Sequence, residues 1–283
     1  MTEQVLVKSK LRIGKIKYLN CLPYYSGLEE GENLSFESGT PAQINQMMRE
    51  GKMDAAPISS MEYLKNPENY LLFPGLGIAS RDYVRSVTLF SKKKIEDLNG
   101  SSIAVTEESL TSVHLLDLLL QKKYQIKANL ISMPSNPKAM LEAHDAALLI
   151  GNDALFAQPR KWIYRYDLGH LWREWQNLPF VYAVWVVRRE VSDQAGILRE
   201  FYNALKGRFL YNTAHLAECI QSHCSVGEFD KLYPKIHGYL NCLQYEFDEP
   251  AWQGFKKFAE LCEAEGFCGR ASFDLCTFGT TAG

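Results

Sequence analysis

The side chains in this chain best placed to do chemistry are mostly uncharged. Tyr18-Leu19-Asn20 lies between an alternating apolar segment, Leu11 to Ile16, and Pro23, which suits the first turn of a helix because its missing N–H costs nothing there. A loop at the carboxyl end of a strand, running into a helix, is where an open α/β sheet holds a small anion. Asn20 in that loop reads either as a ligand contact or as a local cap for backbone N–H groups. Hydroxyls recur in the same setting. Thr40 precedes Pro41 and Gln43, Ser59 stands three residues before Glu62, and Thr111-Ser112 leads into an apolar run. Ser86 begins a β-like segment, either facing a cleft or bonded to a neighbouring backbone.

Residues of more conventional reactivity are few. His114 lies just inside a helix that starts beside Thr111, and reads either as a general base or as a partly buried helix histidine. His215, Cys219 and His223 stand at i, i+4, i+8 spacing with Cys224 adjacent, which could face a metal, but a fourth ligand at tight spacing is lacking. Ordinary packing and no metal are the expectation. There is no Gly-x-Ser-x-Gly elbow, phosphate-cradling Walker loop or His-Glu-x-x-His zinc helix. Gly75-Leu76-Gly77 runs on to Ser80 with no clear helix after it, so it is no dinucleotide fingerprint, and no cofactor is expected.

These positions need elements to place them. Leu11 to Ile16 reads as a strand. Ile44, Met47 and Met48 form the stripe of a helix stopped by Gly51, Met53 to Ile58 is a buried strand, and Met61 to Leu64 is helical. That rhythm implies a parallel sheet with right-handed crossovers, so successive helix starts aim N–H donors at one cleft and favour an anionic ligand. Leu71 to Ser80 reads as a turn, and Arg85 to Ser91 as a strand in which Arg85 points away from the cleft if Ser86 faces it. A polar stretch, Lys92 to Gly100, is followed by a second series: strand Ser101 to Thr106, helix Val113 to Gln121, strand Gln125 to Met133, helix Pro137 to Ala143 and strand Ala146 to Ile150. Thr106, Gly151 and Asn152 thus stand at strand-to-helix switches. Trp162 to Tyr166 reads as a strand, and His170 to Asn177 as an amphipathic helix whose Trp172 and Trp175 pack in the core. Phe180 to Val187 reads as a long apolar strand, and the remainder as helices starting at Ser192, Thr213 and Glu249-Pro250. Strands near Thr88 to Ser91 and Ala183 to Val187 are read as crossing between two units. The expected architecture is α/β and two-lobed. A discontinuous large lobe, residues 1–91 and 184–283, carries an inserted smaller lobe, residues 92–183, with the ligand between them.

Composition narrows the partners. The chain has 283 residues, 46% of them hydrophobic and 23% charged, with a formal net charge of -2. That balance argues against nucleic acid, which needs a basic surface. Lys92-Lys93-Lys94 is the one tight basic run and reads as a solvated turn. No window reaches the roughly 18 apolar residues of a membrane span, and Met1 to Lys10 does not read as a leader. Seven scattered cysteines without Cys-x-x-Cys argue against a disulfide framework and for a reducing cytoplasm. A homodimer is compatible with all of this.

Seven short motifs occur in order: Tyr18-Leu19-Asn20-Cys21-Leu22-Pro23, Gly39-Thr40-Pro41, Asp54-Ala55-Ala56-Pro57-Ile58-Ser59, Ser86-Val87-Thr88-Leu89-Phe90, Ile150-Gly151-Asn152-Asp153-Ala154-Leu155, Tyr166-Asp167-Leu168-Gly169 and Leu178-Pro179-Phe180-Val181-Tyr182-Ala183-Val184-Trp185. Together, from about Leu11 to about Phe273, the chain resembles the chorismate dehydratase family of the futalosine route to menaquinone. The family usually carries Gly-Asp-x-Ala-Leu where this chain has Gly151-Asn152-Asp153-Ala154-Leu155, and Trp-x-x-x-Thr-Gly-Leu-Pro where it has Gln176-Asn177 before Leu178.

The resemblance implies a fold similar to type II periplasmic binding proteins and an activity in which chorismate loses water to give 3-[(1-carboxyvinyl)oxy]benzoate. It implies catalytic roles for Asn20 and Ser86. Substrate contacts are expected from Tyr18, Leu19, Thr40, Ser59, Arg85, Thr106, Thr111, Ser112, Gly151, Asn152, Pro179 and Phe180. The alternatives are the sister enzyme that makes 1,4-dihydroxy-6-naphthoate, whose first loop resembles Ser-Pro-Cys-Pro-Asn-Asp-Thr, and a non-catalytic small-anion binding protein.

Overall fold

The computed structural model describes residues 10–157, 164–225 and 227–278. In chain order the elements are β1 (Leu11–Ile16), α1 (Leu22–Tyr25), β2 (Leu34–Gly39), α2 (Pro41–Arg49), β3 (Ala55–Ser59), α3 (Ser60–Lys65), β4 (Tyr70–Ser80), β5 (Val87–Ser91), β6 (Ser102–Thr106), α4 (Leu110–Leu118), β7 (Asn129–Met133) and α5 (Pro137–Ala143). There follow β8 (Ala146–Ile150), α6 (Gly151–Phe156), β9 (Tyr164–Asp167), α7 (Leu168–Gln176), β10 (Phe180–Arg188), α8 (Ala195–Ala214), α9 (Leu216–Gln221), α10 (Phe229–Leu240), β11 (Leu243–Glu246) and α11 (Glu249–Ala264).

Two sheets result. One runs β11-β4-β10-β3-β1-β2, the other β7-β6-β8-β5-β9. In the first, β1 pairs in parallel with β2 and β3, while β10 returns antiparallel between β3 and β4. In the second, β6 is parallel to β7 and β8, and β5 is antiparallel to β8 and β9. Strands β3, β5 and β8 are buried along their whole length, which is why they read as continuous apolar or small-residue runs rather than alternating ones.

The pairing moves the lobe boundaries. Val87–Ser91 is an inner strand of the smaller sheet, in register with Ile150 to Ala146, and β10 belongs to the larger sheet from Phe180 onward. The chain therefore passes between sheets at 81–86 and again at 168–179, not at 91/92 and 183/184. One half-buried carboxylate ties these two passages together. Asp167 accepts N–H bonds from Val84 (3.1 Å) and Arg85 (2.6 Å) of the first, and from Gly169 (3.0 Å) and His170 (3.2 Å) of the second. Gly169 is needed there, because a Cβ would come within 2.5 Å of the Asp82 carbonyl oxygen.

Other expectations need correction. Gly75-Leu76-Gly77 lies inside β4 rather than in a turn, at a place where the pairing register with β10 and β11 slips. Ser192 does not cap a helix: it donates to the Arg189 carbonyl, and α8 starts only at Ala195. Thr213 lies inside α8 with its hydroxyl returned to the Phe209 carbonyl at 2.7 Å, and the break falls at His215. His223 lies beyond the end of α9, so the proposed i, i+4, i+8 face is interrupted. Among the described residues no group of three His, Cys, Asp or Glu could hold a metal. Of the strand read at Trp162 to Tyr166, residues 162 and 163 lie outside the described residues, as does most of the Met1 to Lys10 segment. The described cysteines are all free, and no described helix is long and apolar enough to cross a membrane.

Candidate functional site

Short pieces from both sheets meet around a cavity of about 70 Å³. Tyr18 and Asn20 come from the β1–α1 loop, Pro41 and Ser59 from the starts of α2 and α3, and Ser86 from the first passage. Ser109, Thr111 and Ser112 come from the start of α4, and Gly151 opens α6. Ile16, Ile78, Val84, Val87, Ile150, Ala183 and Leu243 supply an apolar wall, to which Tyr182 adds its ring. The starts of α2, α3, α4 and α6 thus converge on one small volume, as the strand–helix rhythm implies. Such ends carry partial positive charge and unused N–H groups.

Local bonding fixes each piece. Thr40 and Gln43 form a complete capping box on α2, with Gln43 Oε1 2.9 Å from the Thr40 N–H. Ser59 caps α3 by accepting from the Glu62 N–H at 3.2 Å and from Asn45 Nδ2 at 3.0 Å. The Glu62 side chain does not complete a box there; it pairs with Arg49 and is held by Asn66. Thr111 Oγ1 accepts from the Met61 N–H at 3.0 Å, joining α4 of one lobe to α3 of the other. A second tie runs from the Tyr18 hydroxyl, which donates to the Glu108 carboxylate. Gly151 adopts φ +55°, and a Cβ there would lie 2.9 Å from the Tyr18 ring. The Gly151 N–H donates to the Ser86 carbonyl at 2.7 Å, and the Tyr239 hydroxyl donates to Ser86 Oγ at 2.9 Å. Asn20 Oδ1 is buried and has no partner.

The wall is electrically quiet. Among the described residues lining the cavity there is no Asp, Glu, His, Lys or Arg. The Tyr18 phenol is pushed far up by burial and by its bond to Glu108, and that of Tyr182 by burial, so both stay neutral. Such a wall offers a ligand dipoles and hydroxyls rather than counter-ions.

Of the residues singled out from the sequence, Tyr18, Asn20, Ser59, Ser86, Thr111, Ser112 and Gly151 line this cavity. The others do not. Leu19 is buried with Leu155, Ile220 and Tyr239. Thr40 is spent on its own helix, and Thr106 Oγ1 accepts from the Glu108 N–H while bordering a neighbouring groove beside Arg49 and Glu62. Arg85 borders a separate groove with Arg165 and Lys235; the expected strand starts only at Val87, so the left-handed backbone at Arg85 (φ +62°), not strand alternation, sets it apart from Ser86. Asn152 is exposed on the first turn of α6. The Pro179 carbonyl accepts from Trp172 Nε1, and Phe180 packs against Trp172 and Phe258. His114 is also outside the cavity. Its Nδ1 lies 2.8 Å from the Leu110 carbonyl oxygen, its ring meets Phe267 edge-on, and burial lowers its pKa.

Sequence reasoning missed Glu108, Asp167, Tyr182 and Tyr239. Asp167 carries a usable signal, an N-cap carboxylate two residues before a glycine at a helix start. Tyr239 carries none, because its contact with Ser86 spans 153 residues.

Comparison with known proteins bears on the family and the fold. The menaquinone biosynthesis family profile matches residues 11–264. A chorismate dehydratase of Thermus thermophilus is 29% identical over 269 residues, covering 88% of this chain and 93% of that protein. One from Campylobacter jejuni subsp. jejuni is 26% identical over 198 residues, 66% of this chain and 72% of its own. Among solved structures, a protein from Archaeoglobus fulgidus superposes with a TM-score of 0.74 at 18% identity, covering 91% of this chain and 98% of the other. The periplasmic aliphatic sulphonate binding protein SsuA from Escherichia coli gives 0.62 at 13%, covering 93% and 90%. The fold is thus that of the periplasmic binding proteins, two-lobed as the sequence implied.

Proposed function

The chain belongs to the menaquinone biosynthesis family, and from that premise we propose that it is a chorismate dehydratase, a carbon–oxygen lyase of the futalosine route. Chorismate would lose water here to give 3-[(1-carboxyvinyl)oxy]benzoate, in the cytoplasm and without a cofactor. One observation carries the reading beyond the family: a cavity between two lobes, walled by neutral side chains, in which Asn20 Oδ1 is buried without a partner and, among the described residues, no Asp, Glu, His, Lys or Arg lines the wall. A buried polar atom left unpaired costs about 1–3 kcal/mol. A protein keeps such an acceptor where a ligand supplies a donor, which on chorismate is the ring hydroxyl, while the amide Nδ2 of the same side chain is free to donate to a carboxylate.

The substrate is a dianion. Its two carboxylates need donors with little net charge to spare, and the starts of α2, α3, α4 and α6 with Ser59, Thr111 and Ser112 supply them. The reaction removes a ring proton and the neighbouring hydroxyl, and the ring becomes aromatic. The proton acceptor we assign is the substrate's own enolpyruvyl carboxylate, oriented by Asn20 and Ser86. The ring C–H electrons enter the ring and the C–O bond breaks, and the proton taken by the carboxylate passes to the departing hydroxyl, which leaves as water while the carboxylate is regenerated. The absence of a side-chain base among the cavity-lining residues supports that assignment over His114. Selectivity follows from closure, because chorismate can also rearrange or lose pyruvate. Lobes tied through Tyr18–Glu108 and Met61–Thr111 hold the enolpyruvyl arm away from the carbon it would attack and exclude water.

The test is to mix the purified protein with chorismate and follow ultraviolet absorbance and product mass. An aromatic product lighter than chorismate by one water supports the reading. An unchanged diene overturns it in favour of a small-anion binder.

A further inference from the structure

Tyr239 stands on the last turn of α10, 2% exposed, in a small apolar cluster with Leu19, Leu155, Ile220, Ile236 and Leu240. Leu19 is the residue before Asn20, and Leu155 lies on α6, which Gly151 opens. One patch of core therefore sits behind the Asn20 loop, the start of α6 and Tyr239 together. From it the Tyr239 phenol reaches the first passage between the sheets, just ahead of β5, and donates to Ser86 Oγ at 2.9 Å. The Ser86 carbonyl is already taken by the Gly151 N–H.

We propose that Tyr239 is a positioning residue for Ser86, holding Ser86 Oγ as an acceptor so that the serine proton is turned into the cavity as a donor to the substrate. A phenol has one proton and a serine hydroxyl has one. Once Tyr239 spends its proton on Ser86 Oγ, the proton of Ser86 has to go elsewhere, and Ser86 borders the cavity. Burial drives the Tyr239 phenol well above its ordinary pKa, so it remains a donor at any working pH. A serine free to rotate would spend part of its time presenting lone pairs to a dianion. A serine already bonded from behind does not pay that reorientation during the reaction. The proposal rests on the chorismate dehydratase reading and adds to it a residue 153 positions away in sequence.

The experiment is a double-mutant cycle on the full-length protein, with Tyr239→Phe, Ser86→Ala and the pair, followed by mass-detected product so that slow variants remain measurable. Tyr239→Phe keeps the ring and loses only the hydroxyl. It should lower kcat about tenfold with KM within about twofold, the scale of one neutral hydrogen bond. In the Ser86→Ala background the same change should do nothing further, and in a Ser86→Thr background, where a hydroxyl remains, it should again slow turnover. Equal losses with and without a hydroxyl at position 86 would show a packing role and overturn the proposal, as would full turnover in Tyr239→Phe. Wild-type protein that leaves chorismate intact removes the reading and the proposal with it. Active wild-type protein with additive variants removes Tyr239 alone.

Discussion

Replacing Asn20 with alanine should slow the reaction without weakening the fold. In the free protein, Asn20 Oδ1 is buried with no partner, a state that costs about 1–3 kcal/mol. Truncation returns part of that cost. Little packing is lost, because the side chain borders a cavity rather than filling a core site. The unfolding midpoint should therefore stay within about 2 °C of wild type or rise, since about 1 kcal/mol moves a chain of this size by roughly 2–4 °C. Catalysis moves the other way. Bonds to a charged substrate are worth about 1.5–3 kcal/mol, so kcat should fall about tenfold to a hundredfold. Asn20→Asp keeps the shape and adds a negative charge against a dianion, so its KM should rise further than that of Asn20→Ala. Initial rates by absorbance and midpoints by scanning calorimetry on ligand-free protein test both halves. A midpoint lowered by more than about 5 °C, with normal kcat in the folded fraction, would mean that Asn20 serves only as a backbone cap. Unchanged kcat in a folded variant would take it out of the reaction.

Other perturbations have equally definite outcomes. Gly151→Ala forces a Cβ to 2.9 Å from the Tyr18 ring at φ +55°; the left-handed backbone alone costs about 1 kcal/mol, so the midpoint should drop by a few degrees and KM should rise as Tyr18 is displaced. Tyr18→Phe removes a tie between the lobes and should raise KM roughly fivefold, about 1 kcal/mol. Glu108→Gln, which can still accept from Tyr18, should do less, and the reverse order would refute the tie. His114→Gln should keep wild-type turnover, which steady-state rates will show. Because burial holds the folded His114 pKa below its ordinary 6.5, the unfolded chain takes up the proton first. Stability is lost as pH falls from 6.5 toward the folded value, and denaturant midpoints between pH 8 and 5 should show that slope flattened in the variant.

The parts of the molecule legible in the sequence are those written within a few residues. β1 is recognisable from alternation, and α2 from Thr40-Pro41-x-Gln43, which forms the very capping box it spells. The convergence of helix starts follows from the strand–helix rhythm, so the sequence alone puts Ser59, Thr111, Ser112 and Gly151 near one cleft, and all four line it. What failed is what short-range patterns share. A glycine pair can make a turn or a slipped register inside a strand, and β4 uses the second. A threonine can open a helix or return its hydroxyl to the preceding turn, as Thr213 does. Fully buried strands look alike whichever sheet they join, so β5 was assigned to the wrong lobe. Tyr239 and the Asp167 bonds to Val84 and Arg85 were invisible because their partners are remote in sequence.

Asp167 has one more consequence. Two independent connections between the sheets would let the smaller one slide as well as tilt. Here Val84 and Arg85 of one connection and Gly169 and His170 of the other hang on a single carboxylate. Separating the two connections would break those bonds, so one carboxylate keeps the passages side by side. Ser86, the next residue after Arg85, is thereby held from three directions, by the neighbouring Asp167 bond, by the Gly151 N–H on its carbonyl and by the Tyr239 hydroxyl on its Oγ.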